Sequence, residues 1–192
     1  MDTVASIANL LFEASMLKEI RRSGYRFLGS GNESVAEHAF VVAFISYAMA
    51  QMVPGVDALR LISMGLVHDL AEARTGDLNA VQKRYVEADE GKAIRHLTEG
   101  LPFGSAIVSL VEEFNAGTTL EAKLARDADQ LAFVLDLRSL QDRGYAPATK
   151  WQEIVTKRLQ TEIGRKIADD IAGVGWDEWW WNNFLDRVEQ KG

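Results

Sequence analysis

The chain of 192 residues contains no cysteine, which excludes both a disulfide framework and a thiolate metal site. Any transition-metal site must therefore be built from histidine and carboxylate side chains. Histidine is scarce as well, because only three are present: His38, His68 and His96. A metal site in this chain can thus draw on very few imidazole ligands.

Positive charge is also in short supply, with 21 Lys and Arg against 28 Asp and Glu and a formal net charge of −7. Since a nucleic-acid polymer needs a basic surface, we expect no such partner, although a small anionic substrate is compatible. We see no apolar run approaching the roughly 18 residues that cross a membrane, and residue 2 is acidic where a signal peptide carries a base. We therefore expect a cytoplasmic protein without a membrane partner.

Strand signals are few, whereas apolar residues recur at spacings of three and four along most of the chain. This periodicity predicts an all-α fold, and the length suits one domain spanning residues 1–192. The C-terminal helices, from residue 149 on, are expected to pack on the core. The predicted helices cover about residues 3–20, 34–52, 57–69, 80–99, 104–114, 118–141, 149–172 and 177–189.

Two of the histidines fall at helix ends. Residues 34–37 (SVAE) form a capping box, which places His38 in the first turns of its helix. His68 directly precedes Asp69 near the end of the next helix. Two imidazoles with two carboxylates suit Mn, Fe, Co, Ni or Zn and leave positions open for water and a substrate oxygen. The alternative for each histidine is a hydrogen-bonded imidazole in the core.

A further carboxylate ligand is expected from the helix that a second capping box, residues 118–121 (TTLE), begins. Asp127 and Asp129 lie two positions apart there, so a straight helix directs them about 200° apart and only one reaches the ion. The periodicity of the apolar residues does not choose between them.

Three segments, taken in order, resemble the HD superfamily of metal-dependent phosphohydrolases. They are residues 32–38 (NESVAEH), 68–77 (HDLAEARTGD) and 121–129 (EAKLARDAD), and they are most similar to its 5′-deoxynucleotidase branch. The resemblance covers about residues 15–140. It implies a compact helical HD-domain bundle and a homodimer.

The resemblance also implies a metal site formed by His38, His68, Asp69 and Asp129, and so it selects Asp129 over Asp127. The site would hold one divalent ion, which is Co, Mn, Fe, Ni, Zn or Mg. The implied reaction is hydrolysis of the phosphate monoester of a 2′-deoxyribonucleoside 5′-monophosphate, so the partner is a small nucleotide.

Two carboxylates are expected to handle protons. Glu72 follows His68 by four residues and Asp69 by three, so it can share their face and orient an attacking water. Asp77 follows a bend at Gly76, where it could orient the water or protonate the leaving group. The alternatives are a solvated carboxylate for Glu72 and a cap of the following helix for Asp77.

Substrate contacts are expected from Arg22, Tyr25 and Asn79. By resemblance Arg22 clamps the phosphate, with Arg21 as its competitor because the loop before His38 is one residue short. Tyr25 stands where relatives have Trp and would form the nucleoside wall. Asn79 lies where relatives often have a Pro-rich turn.

Other interpretations remain open. The metal motif says little about the leaving group, so another nucleotide is an alternative substrate, and a non-catalytic nucleotide-binding HD protein is an alternative function. His96 lies outside the motifs and is expected on a helix surface. The Trp-rich residues 176–184 are interpreted as core or dimer contacts.

Overall fold

The computed structural model describes residues 3–189, and within that range it contains helices and no β-strand. The prediction of an all-α fold is therefore confirmed. The helices are α1 (Thr3–Met16), α2 (Tyr25–Leu28), α3 (Val35–Met52), α4 (Ala58–Val67), α5 (Glu72–Thr75), α6 (Glu90–Leu97), α7 (Gly104–Ala116), α8 (Leu120–Asp142), α9 (Pro147–Thr156), α10 (Glu162–Gly173) and α11 (Glu178–Glu189).

Helices α3, α4 and α8 form the centre of the bundle, and each packs against the other two. Helix α8 presents small side chains to its neighbours, among them the fully buried Ala125 and Ala128. Such residues let helix axes approach closely and bring side chains on neighbouring helices into contact. The larger side chains of this core include Met49, Leu61 and Leu131. Helices α7 and α10 flank it.

The start of the chain is tied to the start of α3. Helix α1 ends at Met16, earlier than the predicted residue 20, because the carbonyls of Leu17 and Ile20 accept hydrogen bonds from Ala36 and Val35. These carbonyls therefore do not accept the hydrogen bonds of a longer α1, and the loop after α1 is held against α3. The loop also contains the one-turn helix α2, which the sequence did not predict.

The predicted helix over residues 80–99 is wrong. The chain forms a 3₁₀ turn at Gln82–Arg84 and begins α6 only at Glu90. Asp89 caps α6 by accepting a hydrogen bond from the amide of Lys92 at 2.8 Å. The apolar side chains before it, such as Tyr85 and Val86, are exposed, so no burial stabilises a longer helix there.

The predicted helix over residues 149–172 is also divided, into α9 and α10. Asp127 explains the break, since its fully buried carboxylate accepts hydrogen bonds from the amides of Gln160 and Thr161 and from the Thr161 hydroxyl, at 2.7, 2.8 and 2.6 Å. These bonds fix the chain at the start of α10. Gly164 leaves room for this carboxylate, because a β-carbon at that position would lie 2.3 Å from Asp127 Oδ2.

Helix α3 is long and apolar enough to cross a membrane by length and composition. The expectation that no segment approaches that length is therefore wrong. Of its residues 39% are buried inside the structure, where α3 packs against α4 and α8. A core helix meets the same criteria of length and composition.

Replacement of Asp127 by alanine should destabilise the fold by about 3 kcal/mol, because one hydrogen bond to a charged group contributes about 1.5–3 kcal/mol and three share this carboxylate. Urea unfolding of the variant would measure the loss. Asp169→Ala, at an exposed position of α10, is the control and should leave the midpoint unchanged. A wild-type midpoint for Asp127→Ala would contradict the capping role.

Candidate metal centre and adjoining cavity

The predicted capping box at the start of α3 is confirmed and fixes the position of His38. The Ser34 hydroxyl accepts a hydrogen bond from the amide of Glu37 at 3.2 Å, and the Glu37 carboxylate accepts one from the amide of Ser34 at 2.6 Å. The imidazole of His38 is fully buried beneath this first turn. The position of His38 is thus set by a helix terminus whose backbone groups are hydrogen-bonded.

His68 and Asp69 lie where α4 ends and the chain turns. The Nδ1 of His68 lies 3.0 Å from the carbonyl oxygen of Gly65, which directs Nε2 toward Asp69 Oδ2 at 3.1 Å. Gly65 is also the point of close approach to α3, because a β-carbon there would lie 2.7 Å from Ser46 Oγ. Because Gly65 has no side chain, α4 packs closely against α3, and His68 lies near His38.

Asp129 supplies the third element of the cluster, from the middle of α8. Its Oδ1 lies 2.9 Å from His38 Nε2 and 4.0 Å from His68 Nε2. Gln130 donates a hydrogen bond to the other oxygen, Oδ2, at 2.7 Å. Asp127 points away into its capping role, as the helical geometry requires.

The side chains of His38, His68 and Asp69 lie close enough together to hold a metal ion, and Asp129 lies beside them. His38 Nε2 lies 3.9 Å from Asp69 Oδ2, and the donor atoms of His38, His68 and Asp69 all lie within 4.8 Å of one another. Donors that each lie about 2.1 Å from one ion are separated by about 3–4 Å. His68 Nε2 is moreover buried without a hydrogen-bond partner, as expected of an atom that ligates a metal.

Electrostatics favour positive charge between the two carboxylates. Burial lowers the pKa of His68, but Asp69 and Asp129 outweigh it and raise that pKa to about 9. Burial raises the pKa of Asp129, yet the hydrogen bond from His38 and the nearby cations hold it well below its usual range. The cluster thus stabilises a cation, which a metal ion can provide as well as a proton.

Glu72 lies in the first turn of α5 with its side chain buried, and its Oε2 has no hydrogen-bond partner. Burial, then the charges of Asp69 and Asp77, raise the pKa of Glu72 to about 9. The alternative of a solvated carboxylate is therefore wrong. Asp77 accepts a hydrogen bond from the amide of Ser23 at 2.6 Å, which joins two loops and is not the helix cap considered for it.

The two candidate arginines are placed differently. Arg22 lies beside the cluster, with Nη1 3.3 Å from Asp69 Oδ2, and its side chain is 20% exposed. Arg21 pairs instead with Glu37 and is 52% exposed. Tyr25 is buried next to Arg22, and its hydroxyl contacts Asp136. Burial, followed by the charges of Asp136 and Glu33, raises the pKa of Tyr25, which keeps the phenol neutral.

A cavity of about 580 Å³ adjoins the cluster, a size that suits a small ligand. Its lining includes five of the predicted site residues: Arg22, Tyr25, Asp77, Asn79 and Asp129. Asn79 also caps the 3₁₀ turn, since its Oδ1 accepts hydrogen bonds from the amides of Val81 and Gln82 at 3.0 Å.

Sequence reasoning missed Gln130, Phe133 and Trp151, which line the same cavity. Gln130 directly follows Asp129, and Phe133 lies four residues after Asp129 on the same face of α8. Helical spacing could therefore have predicted both residues. Trp151 comes from α9, and its contact with Phe133, at 6.1 Å between ring centroids, carries no signal in the sequence.

Two other predictions concern residues away from the cavity. His96 is exposed on α6, as expected. The Trp-rich segment does not form core, since Trp179 is 75% and Phe184 53% exposed. Its interpretation as a dimer contact stays a prediction.

The HD domain family model matches residues 14–171 of the chain. The chain therefore belongs to the HD domain family. The three motifs identified in the sequence lie inside the matched region, and the resemblance to this family is confirmed.

Similar proteins include enzymes named 5′-deoxynucleotidase. The human 5′-deoxynucleotidase HDDC2 is 26% identical over 148 residues, which are 74% of this chain and 72% of the human protein. The 5′-deoxynucleotidase hdd1 of Schizosaccharomyces pombe is 28% identical over 69% of this chain and 71% of its own length.

Among solved structures, a conserved hypothetical protein from Pyrococcus furiosus superposes with a TM-score of 0.72 at 26% identity, covering 87% of this chain and 99% of that one. A protein from Magnetospirillum magnetotacticum, named a predicted metal-dependent phosphohydrolase, superposes with a TM-score of 0.67 at 23% identity, covering 89% and 91%. Both share the helical fold.

Proposed function

We propose that the chain hydrolyses the phosphate monoester of 2′-deoxyribonucleoside 5′-monophosphates in a metal-dependent reaction. One observation carries the proposal: Asp129 belongs both to the cluster with His38 and His68 and to the lining of a nucleotide-sized cavity. A ligand in that cavity would meet the cluster directly. The relatives named 5′-deoxynucleotidase support the choice of substrate.

His38, His68, Asp69 and Asp129 would hold one divalent ion, and Co, Mn, Fe, Ni, Zn and Mg are all candidates. When bound, such an ion polarises phosphoryl oxygens and lowers the pKa of water. The histidines and carboxylates contribute by holding their donor atoms in one place before substrate arrives, which reduces reorganisation during the reaction.

Arg22 would bind the phosphoryl group. Its guanidinium lines the cavity beside Asp69 and can donate two parallel hydrogen bonds to phosphoryl oxygens. In the overall reaction a water oxygen bonds to phosphorus, the bond from phosphorus to the 5′ oxygen breaks, and that oxygen receives a proton. Phosphoryl transfer of this kind depends on positioning and charge neutralisation.

Glu72 and Asp77 would move protons. Glu72 offers a buried carboxyl oxygen with no competing hydrogen bond, so it can accept or orient a proton of the attacking water. Asp77 lines the cavity, where it can orient the water or protonate the leaving oxygen. Its hydrogen bond from Ser23 limits the positions that its carboxylate can take.

Tyr25 and Asn79 would contact the nucleoside. Both line the cavity, and Tyr25 packs edge to face against Phe133 with ring centroids 5.6 Å apart. Phe133 in turn meets Trp151, so aromatic rings extend along one wall. Such a wall suits a nucleobase, which has flat apolar faces. Another nucleotide is the alternative substrate, and a non-catalytic nucleotide-binding HD protein is the alternative function.

We also propose that the protein is a cytoplasmic homodimer. The lack of cysteine is compatible with a reducing compartment. A row of exposed aromatics on α3 supports dimerisation: Phe40, Phe44 and Tyr47 are 71%, 63% and 51% exposed, and successive ring centroids lie 6.4 and 6.2 Å apart. Such a row of neighbouring rings is an exposed apolar surface that a second copy of the chain could cover.

A panel of deoxyribo- and ribonucleoside 5′-monophosphates tests the substrate. With Mn²⁺ or Co²⁺ we expect phosphate release from the deoxyribonucleotides at rates at least about tenfold above the ribonucleotides, and loss of release in EDTA. The measurement is inorganic phosphate over time. Equal rates for both sugars would contradict the substrate assignment, and unchanged rates in EDTA would contradict metal dependence.

Asp69 and Glu72 should respond differently to substitution. Asp69→Ala removes a proposed ligand, so we expect loss of bound metal and of turnover, whereas Glu72→Gln should keep the metal and lower kcat by about 10²–10⁴-fold. Metal content by elemental analysis, together with kcat, separates the two roles. Asp169→Ala serves as the matched surface control. Normal metal content and rate in both variants would refute the assignment.

Light scattering tests the dimer. Phe44→Asp would place a charge in the aromatic row of α3, and we expect it to yield a monomer where the wild type is a dimer. Tyr85→Asp, at an exposed aromatic outside the row, should stay dimeric. If Phe184→Asp gives the monomer instead, the Trp-rich segment forms the interface.

A further inference from the structure

We propose that Glu33 is a positioning residue whose single carboxylate orients His38, Arg22 and Tyr25 together. The three side chains meet at one atom, because Glu33 Oε2 lies 3.6 Å from His38 Nδ1, 3.9 Å from Arg22 Nε and 3.2 Å from the Tyr25 hydroxyl. The inference rests on the proposed function, which gives these side chains the roles of metal ligand, phosphate clamp and nucleoside wall.

The backbone holds Glu33 in place. Its carbonyl oxygen accepts a hydrogen bond from the amide of Arg22 at 2.9 Å, and the neighbouring residues Arg21 and Ser34 form an antiparallel bridge. Ser34 then caps α3. The carboxylate is consequently anchored between the loop that carries Arg22 and the helix that carries His38, and its side chain is only 12% exposed.

Glu33 can determine which nitrogen of His38 is available to a metal. Nδ1 is buried without a hydrogen-bond partner in the described structure, and it faces Glu33, while Nε2 faces Asp129 and Asp69. A proton held on Nδ1 leaves the lone pair on Nε2. Histidines that ligate metals commonly donate their other N–H to a carboxylate, which fixes the ring and raises its basicity.

The same carboxylate braces the substrate side of the site. Glu33 faces Arg22 Nε and Asp69 faces Arg22 Nη1, so the guanidinium is held from two directions. The Tyr25 hydroxyl donates a hydrogen bond to Glu33 and also contacts Asp136. Loss of the Glu33 charge should therefore disturb metal binding and substrate binding at once, although Glu33 lies outside the cavity lining.

The chain offers a matched control four residues away. Glu37 lies on the same junction, but its side chain is 64% exposed and its role is to cap α3. Gln serves in a capping box as Glu does, so Glu37→Gln removes one charge while the helix start is kept. Glu33→Gln removes one charge at nearly constant shape beside His38.

Calorimetric titration of chelator-treated protein with Mn²⁺ tests the inference without relying on activity. For Glu33→Gln we expect the Kd for Mn²⁺ to rise by about 10–100-fold, the range usual when a carboxylate behind a metal ligand is lost. KM for the deoxynucleotide should rise as well, through Arg22 and Tyr25. Glu37→Gln should match the wild type within about twofold. Glu33→Asp, which keeps the charge but shortens its reach, should be intermediate.

The possible results separate the inference from the proposed function. An unchanged Kd for Mn²⁺ in Glu33→Gln overturns the inference, including when its thermal midpoint falls, because a structural role alone would lower only the midpoint. If Glu33→Gln does not fold, a wild-type Kd in Glu33→Asp overturns it. A raised Kd in a protein that releases no phosphate supports Glu33 and overturns the proposed function. A wild type that binds no Mn²⁺ overturns both.

Discussion

The structure depends on two partly buried carboxylates, Asp69 and Asp129, that face two buried imidazoles. Ions taken out of water cost several kcal/mol each unless partners of opposite charge lie close by. His38 and His68 provide those partners within 2.9–4.0 Å. The three helices that supply the cluster, α3, α4 and α8, are also the three that form the central core. The packing of these three helices therefore also brings the side chains of the cluster together.

Three local features of the helices place the four side chains of the cluster. A capping box sets His38, the end of α4 with a turn after it sets His68 and Asp69, and regular helix sets Asp129. Helix termini hold side chains well when their backbone groups are satisfied. Gly65 then adjusts the distance between α3 and α4. Local helix geometry therefore sets the direction of each side chain, while packing of the helices sets the distances between the side chains.

The difference between local and long-range information explains what the sequence could predict. The capping box, the exposed His96 and the opposed directions of Asp127 and Asp129 follow from helical geometry, and resemblance selected Asp129. The prediction of one helix over residues 80–99 was wrong because the large apolar residues in its first half are exposed. Whether an apolar residue is buried depends on packing against distant parts of the chain, which local periodicity does not show. The break between α9 and α10 was missed because Asp127, more than 30 residues earlier, caps the second helix. The predicted capping box at residues 118–121 is wrong, because Thr119 caps α8 and its hydroxyl accepts a hydrogen bond from the amide of Ala122 at 3.1 Å.

The same reasoning applies to the cavity. Asp77 and Asp129 in its lining belong to short sequence motifs, whereas its aromatic wall joins Tyr25, Phe133 and Trp151 from three separate helices. The hydrogen bond from the amide of Ser23 to Asp77 links the loops that follow α1 and α5. Phe133 and Trp151 contact each other through their rings, whereas the Tyr25 hydroxyl also reaches the carboxylates of Glu33 and Asp136. Under the proposed function, a substitution at Phe133 or Trp151 would alter the nucleoside side of the cavity and leave the proposed metal ligands in place, so the sequence motifs specify the chemistry better than the substrate.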